Sequence, residues 1–408
     1  PVYLGVPREM AMLPVEGGVA RFATRDELGL ARPAWPDPAD AKTVARWLID
    51  ADDPVIIVGK LGRNPEAVPA LVRLAELLAV PVTDREESDG LSFPHTHDLF
   101  NSGPEPKDAD ALLIFNALVP YLPALGPQPN AHVARVDPDP VKSRYKFVHN
   151  AADLWITADP GAAATAIYDA ATQLLTQSNM SRIEERRARL QRARRERDAY
   201  LEELAQKAGQ RRPLHPRWVA YQLCKVLDDR AILIDDTLSG RVGTQAYHRR
   251  TEPRTYFKAS SSAGGWGPGA SFGAKIAAPD RDVVLATGDG YFMFGSPMQA
   301  LWSAAHYKAP YLTVIWVNRA WTTGTTGLKA SYPEGVTVDT GNYEGGTFDP
   351  PPDFAKLAET VNGYGETVRE PEELAPALQR GLQHVRNGSP AIIACWLPTP
   401  IEELQLGS

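Results

Sequence analysis

Cysteine is scarce in this sequence, with two residues among 408. Cys224 and Cys395 lie in apolar stretches, where a buried thiol is the common case, so a fold held by disulfides is excluded. Positive charge is not in excess either, because 43 Lys and Arg residues stand against 50 Asp and Glu, for a net charge of -7. A chain of this charge has no general attraction for nucleic acid, and we expect no nucleic-acid partner.

Long hydrophobic runs are also missing. No apolar stretch approaches the length of a membrane span, and the first residues do not have the pattern of a signal peptide. The proportions of hydrophobic residues (43%) and charged residues (23%) are those of globular proteins, and 408 residues suffice for two domains with separate cores. We therefore expect a cytoplasmic protein without a membrane partner.

His95 and His97 are spaced closely enough to be considered as metal ligands. The segment around them, however, contains no cluster of acidic residues or cysteines to complete a coordination shell. A structural role in a loop is the preferred interpretation.

Short apolar stretches alternate with helical patterns after the proline-rich segment 31–38. The predicted strands are 54–58, 80–83, 111–115, 133–137 and 154–156, and the predicted helices are 39–49 and 67–78. Continuous apolar strands joined by helices indicate a parallel sheet covered on both faces, so we predict a doubly wound, Rossmann-like domain over residues 35–175. The glycine turn at 59–62 lacks the full Gly-x-Gly-x-x-Gly spacing, which leaves a nucleotide site without support.

The rest of the chain divides into a linker and a second α/β domain. Residues 181–207 are dense in Arg and Glu, which is typical of a solvated helix, and we predict a helical linker over 176–214. The second domain, 215–400, has predicted strands at 231–235, 283–286, 311–317 and 391–396, and predicted helices at 217–227, 298–307, 352–362 and 371–386. A long polar loop is predicted from 321 to 352. The fold class is α/β with two doubly wound parallel sheets.

Polar residues follow two strands of the second domain. Asp289, in Gly288-Asp289-Gly290, comes just after strand 283–286, and Asn318 comes just after strand 311–317. The ends of neighbouring parallel strands meet at one sheet edge, where a carboxylate and an amide oxygen suit Mg²⁺. The glycines allow a phosphate to approach the backbone. A Gly-Asp-Gly triplet alone is usually only a turn, so the prediction of a Mg²⁺ site depends on Asn318 as the second ligand.

The order of these features resembles the signature of thiamine diphosphate (ThDP)-dependent enzymes. A glycine-rich segment at 264–274 precedes the Gly-Asp-Gly triplet, and Asn318-Arg319-Ala320-Trp321 is similar to the variant found among acetolactate-synthase-like members. The chain as a whole resembles the acetolactate-synthase-like and benzoylformate-decarboxylase-like group of the family. The resemblance implies that Mg²⁺ is held by Asp289, Asn318 and the backbone carbonyl of Ala320. It implies cofactor contacts at Gly288, Asp289, Gly290, Tyr291, Gly264 and Gly265, and further phosphate contacts at Ser239 and Gly240, where a polar turn is about as plausible.

Three departures from the family pattern stand out. Val317 replaces the first of two asparagines, although the second, Asn318, is the ligand. The spacing from Asp289 to Asn318 is slightly longer than usual, and we assign the extra residues to the segment around Pro297, which suits the first turn of a helix. Gly264 falls where the family has a bulky apolar residue that props the cofactor into its bent form.

The resemblance implies a ThDP- and Mg²⁺-dependent lyase or transferase acting on a 2-keto acid by decarboxylation, carboligation or both. Residues 1–30 resemble the tail of the family's pyrimidine-binding domain, with a strand at 2–7, so we expect a fragment, a processed product or one part of a split enzyme. The catalytic residues are unknown, because the family's activating Glu belongs to that domain. A partner chain or a homo-oligomer would supply it.

Two other hypotheses about the function were considered. The chain could be a non-catalytic ThDP-binding or structural subunit, since it has neither the activating Glu nor a bulky residue at 264. A nicotinamide or flavin oxidoreductase would need a complete glycine pattern, which we do not find. The central domain binds FAD or ADP in some family members, but nothing in this sequence supports either. Trp302 and Trp321 are candidates for the substrate pocket, although tryptophans in such positions more often serve packing.

Overall fold

A computed structural model describes residues 4–14, 16–18, 22–24, 26–29, 32–84, 90–140, 150–238, 241–258 and 263–399. Within these ranges the helices are α1 (Arg8–Met12), α2 (Pro38–Asp50), α3 (Ala67–Leu78), α4 (Pro160–Leu174), α5 (Gln177–Gly209), α6 (Pro216–Val226), α7 (Arg241–Tyr247), α8 (Gly267–Ala277), α9 (Asp289–Phe294), α10 (Pro297–His306), α11 (Thr322–Ser331), α12 (Val336–Thr340), α13 (Phe354–Glu359) and α14 (Pro371–Arg386). Short 3-10 turns occur at Glu16–Gly18, Lys60–Arg63, Pro106–Asp108 and Pro123–Leu125. None of the helices in the described ranges is long and apolar enough to cross a membrane.

The first sheet is entirely parallel. Its strands are β1 (Pro54–Val58), β2 (Val82–Asp84), β3 (Ala111–Phe115), β4 (His132–Asp137) and β5 (Leu154–Thr157), in the order β2-β1-β3-β4-β5. Strand β1 is buried throughout because its side chains point alternately to two apolar layers. Ile56 and Val58 pack with helices α2, α3 and α4, whereas Val55 and Ile57 pack with residues such as Ala117 and Tyr121 on the opposite face.

The second sheet is also parallel and has helices on both faces. Its strands are β6 (Ile232–Asp236), β7 (Tyr256–Lys258), β8 (Val283–Gly288), β9 (Leu312–Val317), β10 (Tyr364–Val368) and β11 (Ala391–Trp396), in the order β10-β11-β9-β8-β6-β7. Helices α6 and α14 cover one face, and α8, α10 and α13 cover the other. The chain leaves β6 toward β7 on one side and returns to β8 on the other, which makes a crevice between the carboxyl ends of β6 and β8.

The predicted fold class is confirmed, since both sheets are parallel and both carry α/β layers. The prediction of a strand at residues 2–7 is wrong for residues 4–7, which form no strand and are solvent-exposed. A strand needs a neighbour for its backbone hydrogen bonds, and no described strand pairs with this segment. Residues 2 and 3 lie outside the described residues.

The second domain contains elements that the sequence pattern did not predict. Helices α11 and α12 occupy part of the predicted loop 321–352. Neither helix has a buried residue, so no apolar periodicity marked them. The edge strands β7 and β10 were also missed, because each is short and β10 is mostly half-buried and polar. The predicted helix 352–362 is shorter in the structure, as α13.

Helix α5 is more buried than the predicted solvated linker. It runs for 33 residues and buries two arginines, Arg186 and Arg194. Arg186 is 4% exposed and donates hydrogen bonds to the carbonyls of Ala51 (2.7 Å) and Leu78 (2.5 Å), near the carboxyl ends of α2 and α3. Carbonyl groups at helix ends have no partner within the helix and favour a cation. Arg186 therefore caps two helices of the first domain, whereas Arg194 donates to carbonyl groups of the loop 95–100.

The two domains also meet through stacked aromatic rings. His95 of the first domain stacks on Phe100 and contacts His248 of the second in a tilted arrangement, with ring centroids 3.9 Å apart in both pairs. His248 in turn stacks on Tyr256 at 4.0 Å. Burial lowers the pKa of both histidines well below the usual value, which keeps the rings neutral. His95 thus has a packing role, and His97 lies 3.1 Å from the carboxylate of Glu76.

We predict that Arg186→Ala lowers the free energy of unfolding by about 1–3 kcal/mol, because two buried carbonyls lose their donor. Urea denaturation followed by circular dichroism measures the change. Arg192→Ala is the matched control, since Arg192 lies exposed on the same helix. Equal stability of the two variants would show that the arginine caps contribute nothing.

Candidate functional site

One cavity lies at the carboxyl ends of the strands of the second sheet. It is bounded by the ends of β6, β8 and β9 and by the start of α11. Its lining residues are Leu238, Gly288, Asp289, Gly290, Tyr291, Asn318, Ala320, Trp321, Thr322, Thr323 and Gly324. None of these described lining residues is a lysine or an arginine. The described lining side chains therefore offer no positive charge to an anion in the cavity.

Asp289 lies at the back of this cavity and is only 2% exposed. One carboxylate oxygen, Oδ2, accepts the backbone N–H of Arg319 at 2.7 Å, and Oδ1 accepts that of Gly290 at 2.8 Å. Burial raises the pKa of Asp289 to about 6, against the lowering effect of these backbone donors. A carboxylate in such surroundings is stabilised when a cation binds beside it.

Asn318 is the first residue after β9. Its side-chain oxygen accepts the N–H of Ala320 at 3.2 Å, and its side-chain nitrogen donates to the hydroxyl of Thr322 at 2.9 Å. These two bonds orient the amide, and an amide oxygen can accept a second contact. Asp289, Asn318 and Ala320 thus line one cavity, as the sequence predicted.

Arg319 has a left-handed backbone with φ of +58°. A non-glycine residue in this region costs roughly 1–3 kcal/mol and persists where its surroundings hold it. The turn directs the N–H of Arg319 at Asp289 while its two neighbours line the cavity. The strain is therefore located between Asn318 and Ala320, two of the three residues that were predicted to bind metal.

Two aromatic rings in the cavity wall rest on glycines. A Cβ atom added to Gly290 would overlap the ring of Trp321, and one added to Gly264 would overlap the ring of Tyr291. Trp321 also contacts Phe294 and Phe348, with ring centroids 5.0 and 5.3 Å away. The absence of a side chain at Gly264 therefore has a packing reason, because the ring of Tyr291 fills that space.

A second buried carboxylate, Asp236 at the end of β6, lies behind the glycine-rich segment. Its Oδ2 accepts the backbone N–H of Gly265 at 3.0 Å and of Gly267 at 3.1 Å. Gly265 has φ of +95° and packs against Phe294, where a side chain would be both strained and crowded. Burial raises the pKa of Asp236 to about 7, although the two N–H groups act in the opposite direction. Asp236 thus ties the glycine-rich segment to the sheet.

The structure brings most of the predicted cofactor residues together. Gly288, Asp289, Gly290 and Tyr291 line the cavity with the predicted metal ligands. Gly264 and Gly265 do not line it but pack behind it, so direct contact between them and a cofactor stays a prediction. Ser239 and Gly240 lie outside the described residues. Trp302 is not among the lining residues and stacks on His306 at 4.8 Å.

Several lining residues were not predicted. Leu238 lies just after the end of β6, and Gly288 is the last residue of β8. The position of Leu238 near a strand end is the signal in the sequence that could have identified it. Thr322, Thr323 and Gly324 belong to the unpredicted helix α11. The role of Asp236 had no sequence signal beyond its place at the end of a strand.

Comparison with known proteins finds a family model that resembles most of the second domain. A family model described as the thiamine pyrophosphate enzyme C-terminal TPP binding domain matches residues 239–395. The matched range runs from α7 into β11 and so contains most of the second sheet. The resemblance to ThDP-dependent enzymes is confirmed, ThDP being the same compound as thiamine pyrophosphate. All lining residues of the cavity except Leu238 fall within the matched range.

Similarity to individual proteins extends beyond this domain. A sulfoacetaldehyde acetyltransferase of Castellaniella defragrans is 28% identical over 403 residues, covering 88% of this chain and 63% of that protein. An acetolactate synthase large subunit of Mycobacterium tuberculosis is 28% identical over 380 residues, covering 88% of this chain and 62% of that protein. The chain thus spans somewhat less than two thirds of the length of these relatives.

The fold is shared with solved ThDP-dependent enzymes. A thiamine diphosphate-dependent 4-hydroxybenzoylformate decarboxylase of Rhodococcus jostii superposes with a TM-score of 0.68 at 21% identity. The superposition covers 96% of this chain and 68% of that protein. The likeness therefore extends over both sheets.

We predict that Gly290→Ala destabilises the protein by about 1–3 kcal/mol, because the added methyl group would displace the ring of Trp321. Thermal unfolding measures the loss. Gly288→Ala is the matched control, because a Cβ there meets no atom within 4 Å and its φ of -81° suits alanine. A loss in the control as large as in Gly290→Ala would contradict the packing argument.

We predict that Asp236 makes the unliganded protein less stable as pH rises from about 4 to about 7. A carboxyl whose pKa rises from 3.8 to about 7 on folding binds its proton more tightly in the folded state, so protonation favours folding in this window. Asp236→Asn should remove this dependence. The melting temperature of the wild type should therefore rise relative to the variant on acidification from pH 7 to pH 4.

The difference between the two proteins is the quantity to measure, because other groups titrate equally in both. Asp280→Asn is the control, since a hydrogen bond from Arg230 lowers the pKa of the exposed Asp280 and confines its effect to lower pH. Parallel melting curves for wild type and Asp236→Asn across this range would refute the assignment.

Proposed function

We propose that this chain is a ThDP- and Mg²⁺-dependent lyase or transferase that acts on a 2-keto acid, by decarboxylation, carboligation or both, in the manner of acetolactate synthases. One observation carries the proposal. Asp289, Asn318 and Ala320, which can offer a carboxylate, an amide oxygen and a backbone carbonyl, line a glycine-bordered cavity in a region similar to a TPP-binding domain, and no described lining residue is basic. A diphosphate beside Asp289 would be repelled unless a cation lay between them. The donor set suits Mg²⁺, which accepts few protein ligands and completes its shell with phosphate oxygens and water.

The residues of the cavity would have separate roles in binding the metal and the cofactor. Asp289, Asn318 and the carbonyl of Ala320 would hold Mg²⁺, and Gly288, Gly290 and Tyr291 would lie against the diphosphate. Ser239 and Gly240 are proposed as further phosphate contacts. ThDP, when bound, supplies the nucleophilic carbon and the electron sink of the reaction. Trp321, held against Phe294 and Phe348, would exclude water from one side of the cavity.

The donor chemistry of the site fits this group. The carboxylate of Asp289 is buried with backbone N–H groups on both oxygens, and burial raises its pKa, so a divalent cation would relieve the cost of ionisation. The glycines at 288 and 290 leave the backbone open to an oxyanion. The rings of Tyr291 and Trp321 would bound part of the space left for a substrate.

A second candidate function is a non-catalytic ThDP-binding or structural subunit. The observation that favours it is the lining of the cavity, where the described residues include no glutamate to activate the cofactor. A homo-oligomer or a partner chain carrying the pyrimidine-binding domain would then supply that group. We propose that the protein forms a homo-oligomer or binds such a partner chain. We also propose that it acts in the cytoplasm on a small 2-keto acid. We propose domains at 35–175 and 215–400, joined by a helical linker at 176–214.

We predict that ThDP binds the purified chain only with Mg²⁺, and that Asp289→Ala weakens binding more than about 100-fold. Groups that only support metal ligands typically contribute 10–100-fold, and a ligand should exceed that range. Calorimetric titration of ThDP with and without Mg²⁺ measures the effect, with Asn318→Ala as a second ligand variant. Asp339→Asn, an exposed carboxylate of the same domain, is the control and should bind like wild type.

Binding by Asp289→Ala equal to wild type would show that the proposed clamp is wrong. Release of CO₂ from a panel of 2-keto acids, including pyruvate and benzoylformate, distinguishes the two candidate functions. Turnover by the chain alone would support the enzyme, whereas tight ThDP binding without turnover would support the subunit that depends on a partner.

A further inference from the structure

Arg319 stands between Asn318 and Ala320, the two proposed metal-binding residues that follow β9, and is 7% exposed. Its φ of +58° lies in the left-handed region, where long side chains are uncommon. Asn318 before it and Ala320 after it both line the cavity. The direction of the amide and of the carbonyl therefore depends on this one unusual turn.

The side chain of Arg319 is held on the neighbouring strand. Its Nη2 donates to the carbonyl of Leu397 at 3.2 Å, and its guanidinium lies 4.8 Å from the centre of the Trp396 ring. Its Nη1 is 3.7 Å from the carboxylate of Asp349. The N–H of Leu397 donates to Val317 at 3.0 Å, so the anchoring segment continues the pairing of β11 with β9.

The backbone of Arg319 is held as well. Its N–H donates to Oδ2 of Asp289 at 2.7 Å, and its carbonyl accepts the N–H of Phe348 at 3.0 Å. The bond to Asp289 joins the end of β9 to the end of β8. Arg319, which follows β9, thus connects the end of that strand to the ends of two neighbouring strands. Its backbone bonds to the end of β8, and its side chain bonds to the end of β11.

We propose that Arg319 is a positioning residue of the cation site. Its guanidinium, anchored on Trp396 and Leu397, holds the left-handed turn that aligns Asn318 and Ala320 with Asp289. The inference rests on the proposed function in that the aligned groups are taken to be the Mg²⁺ ligands. The anchoring itself is a property of the protein without ligand and can be tested separately.

Substitution of Arg319 by glycine tests the effect of the side-chain anchor separately from that of the backbone conformation. Arg319→Gly permits a φ of +58° without steric cost but removes the guanidinium. If only the backbone angle mattered, this variant would keep the site intact. If the anchor holds the turn, the variant loosens it, and Arg319→Lys should restore part of the order because it keeps a cation without the planar guanidinium.

The first measurement is hydrogen exchange of the segment 318–322 by mass spectrometry, without ligand. The N–H groups of Arg319, Ala320 and Trp321 all have acceptors in the native structure. We expect exchange in this segment to rise about tenfold or more in Arg319→Gly, with a smaller rise in Arg319→Lys. Unchanged protection in Arg319→Gly would overturn the proposal whether or not ThDP binds.

The second measurement is the Mg²⁺ concentration needed for ThDP binding, by calorimetry. We expect Arg319→Gly to need about 10–100-fold more Mg²⁺ and then to bind the same molar amount of ThDP, because its ligands are misaligned but present. A variant that only unfolds part of the chain would instead lose binding capacity at every Mg²⁺ concentration, and that result would also count against the proposal.

Arg369→Ala is the matched control. Arg369 lies over the same Trp396 ring, 4.1 Å from its centre, but it is exposed and belongs to another strand end. It should leave exchange in 318–322 and the Mg²⁺ requirement unchanged. If wild type fails to bind ThDP at any Mg²⁺ concentration, the proposed function fails, and the exchange result alone decides the role of Arg319.

Discussion

The hydrogen bond from the backbone N–H of Arg319 to the carboxylate of Asp289 joins the ends of two neighbouring parallel strands. It forms because parallel strands bring their carboxyl ends to one edge, where β8 and β9 are adjacent. The bond fixes where the carboxylate lies relative to Asn318 and Ala320. The same bond satisfies one oxygen of a buried carboxylate that would otherwise be costly to bury. The rest of the cavity is arranged around this junction.

The aromatic wall of the cavity depends on glycine in the same way. Gly264 and Gly290 carry no side chain, and the rings of Tyr291 and Trp321 use that space. The resemblance to ThDP-dependent enzymes places a bulky residue at 264, so the small residue there looked like a loss. In the structure it is one half of a complementary pair whose other half is a large residue at 291. The packing of the cavity wall therefore depends on pairs of residues that are far apart in the chain.

Buried arginines serve a different purpose away from the site. Those of α5 donate to carbonyl groups at the ends of α2 and α3 and to the loop that carries His95. The ring of His95 in turn packs against His248 of the second domain. A segment whose composition suggested solvation therefore connects the two sheets. Charge density alone did not distinguish an exposed arginine from one that caps a helix.

The sequence by itself determined the α/β class, most strands and helices, and the placement of Asp289 and Asn318 at neighbouring strand ends. These follow from local apolar patterns and from short motifs, which a chain carries whatever its surroundings. Only the tertiary structure decided the bonds of Asp236 to the glycine-rich segment, the anchor of Arg319 on β11, and the helices that replace the predicted loop after Trp321. Each of these depends on contacts between residues far apart in the chain or on elements without a buried face. Such contacts leave no periodic trace in the sequence.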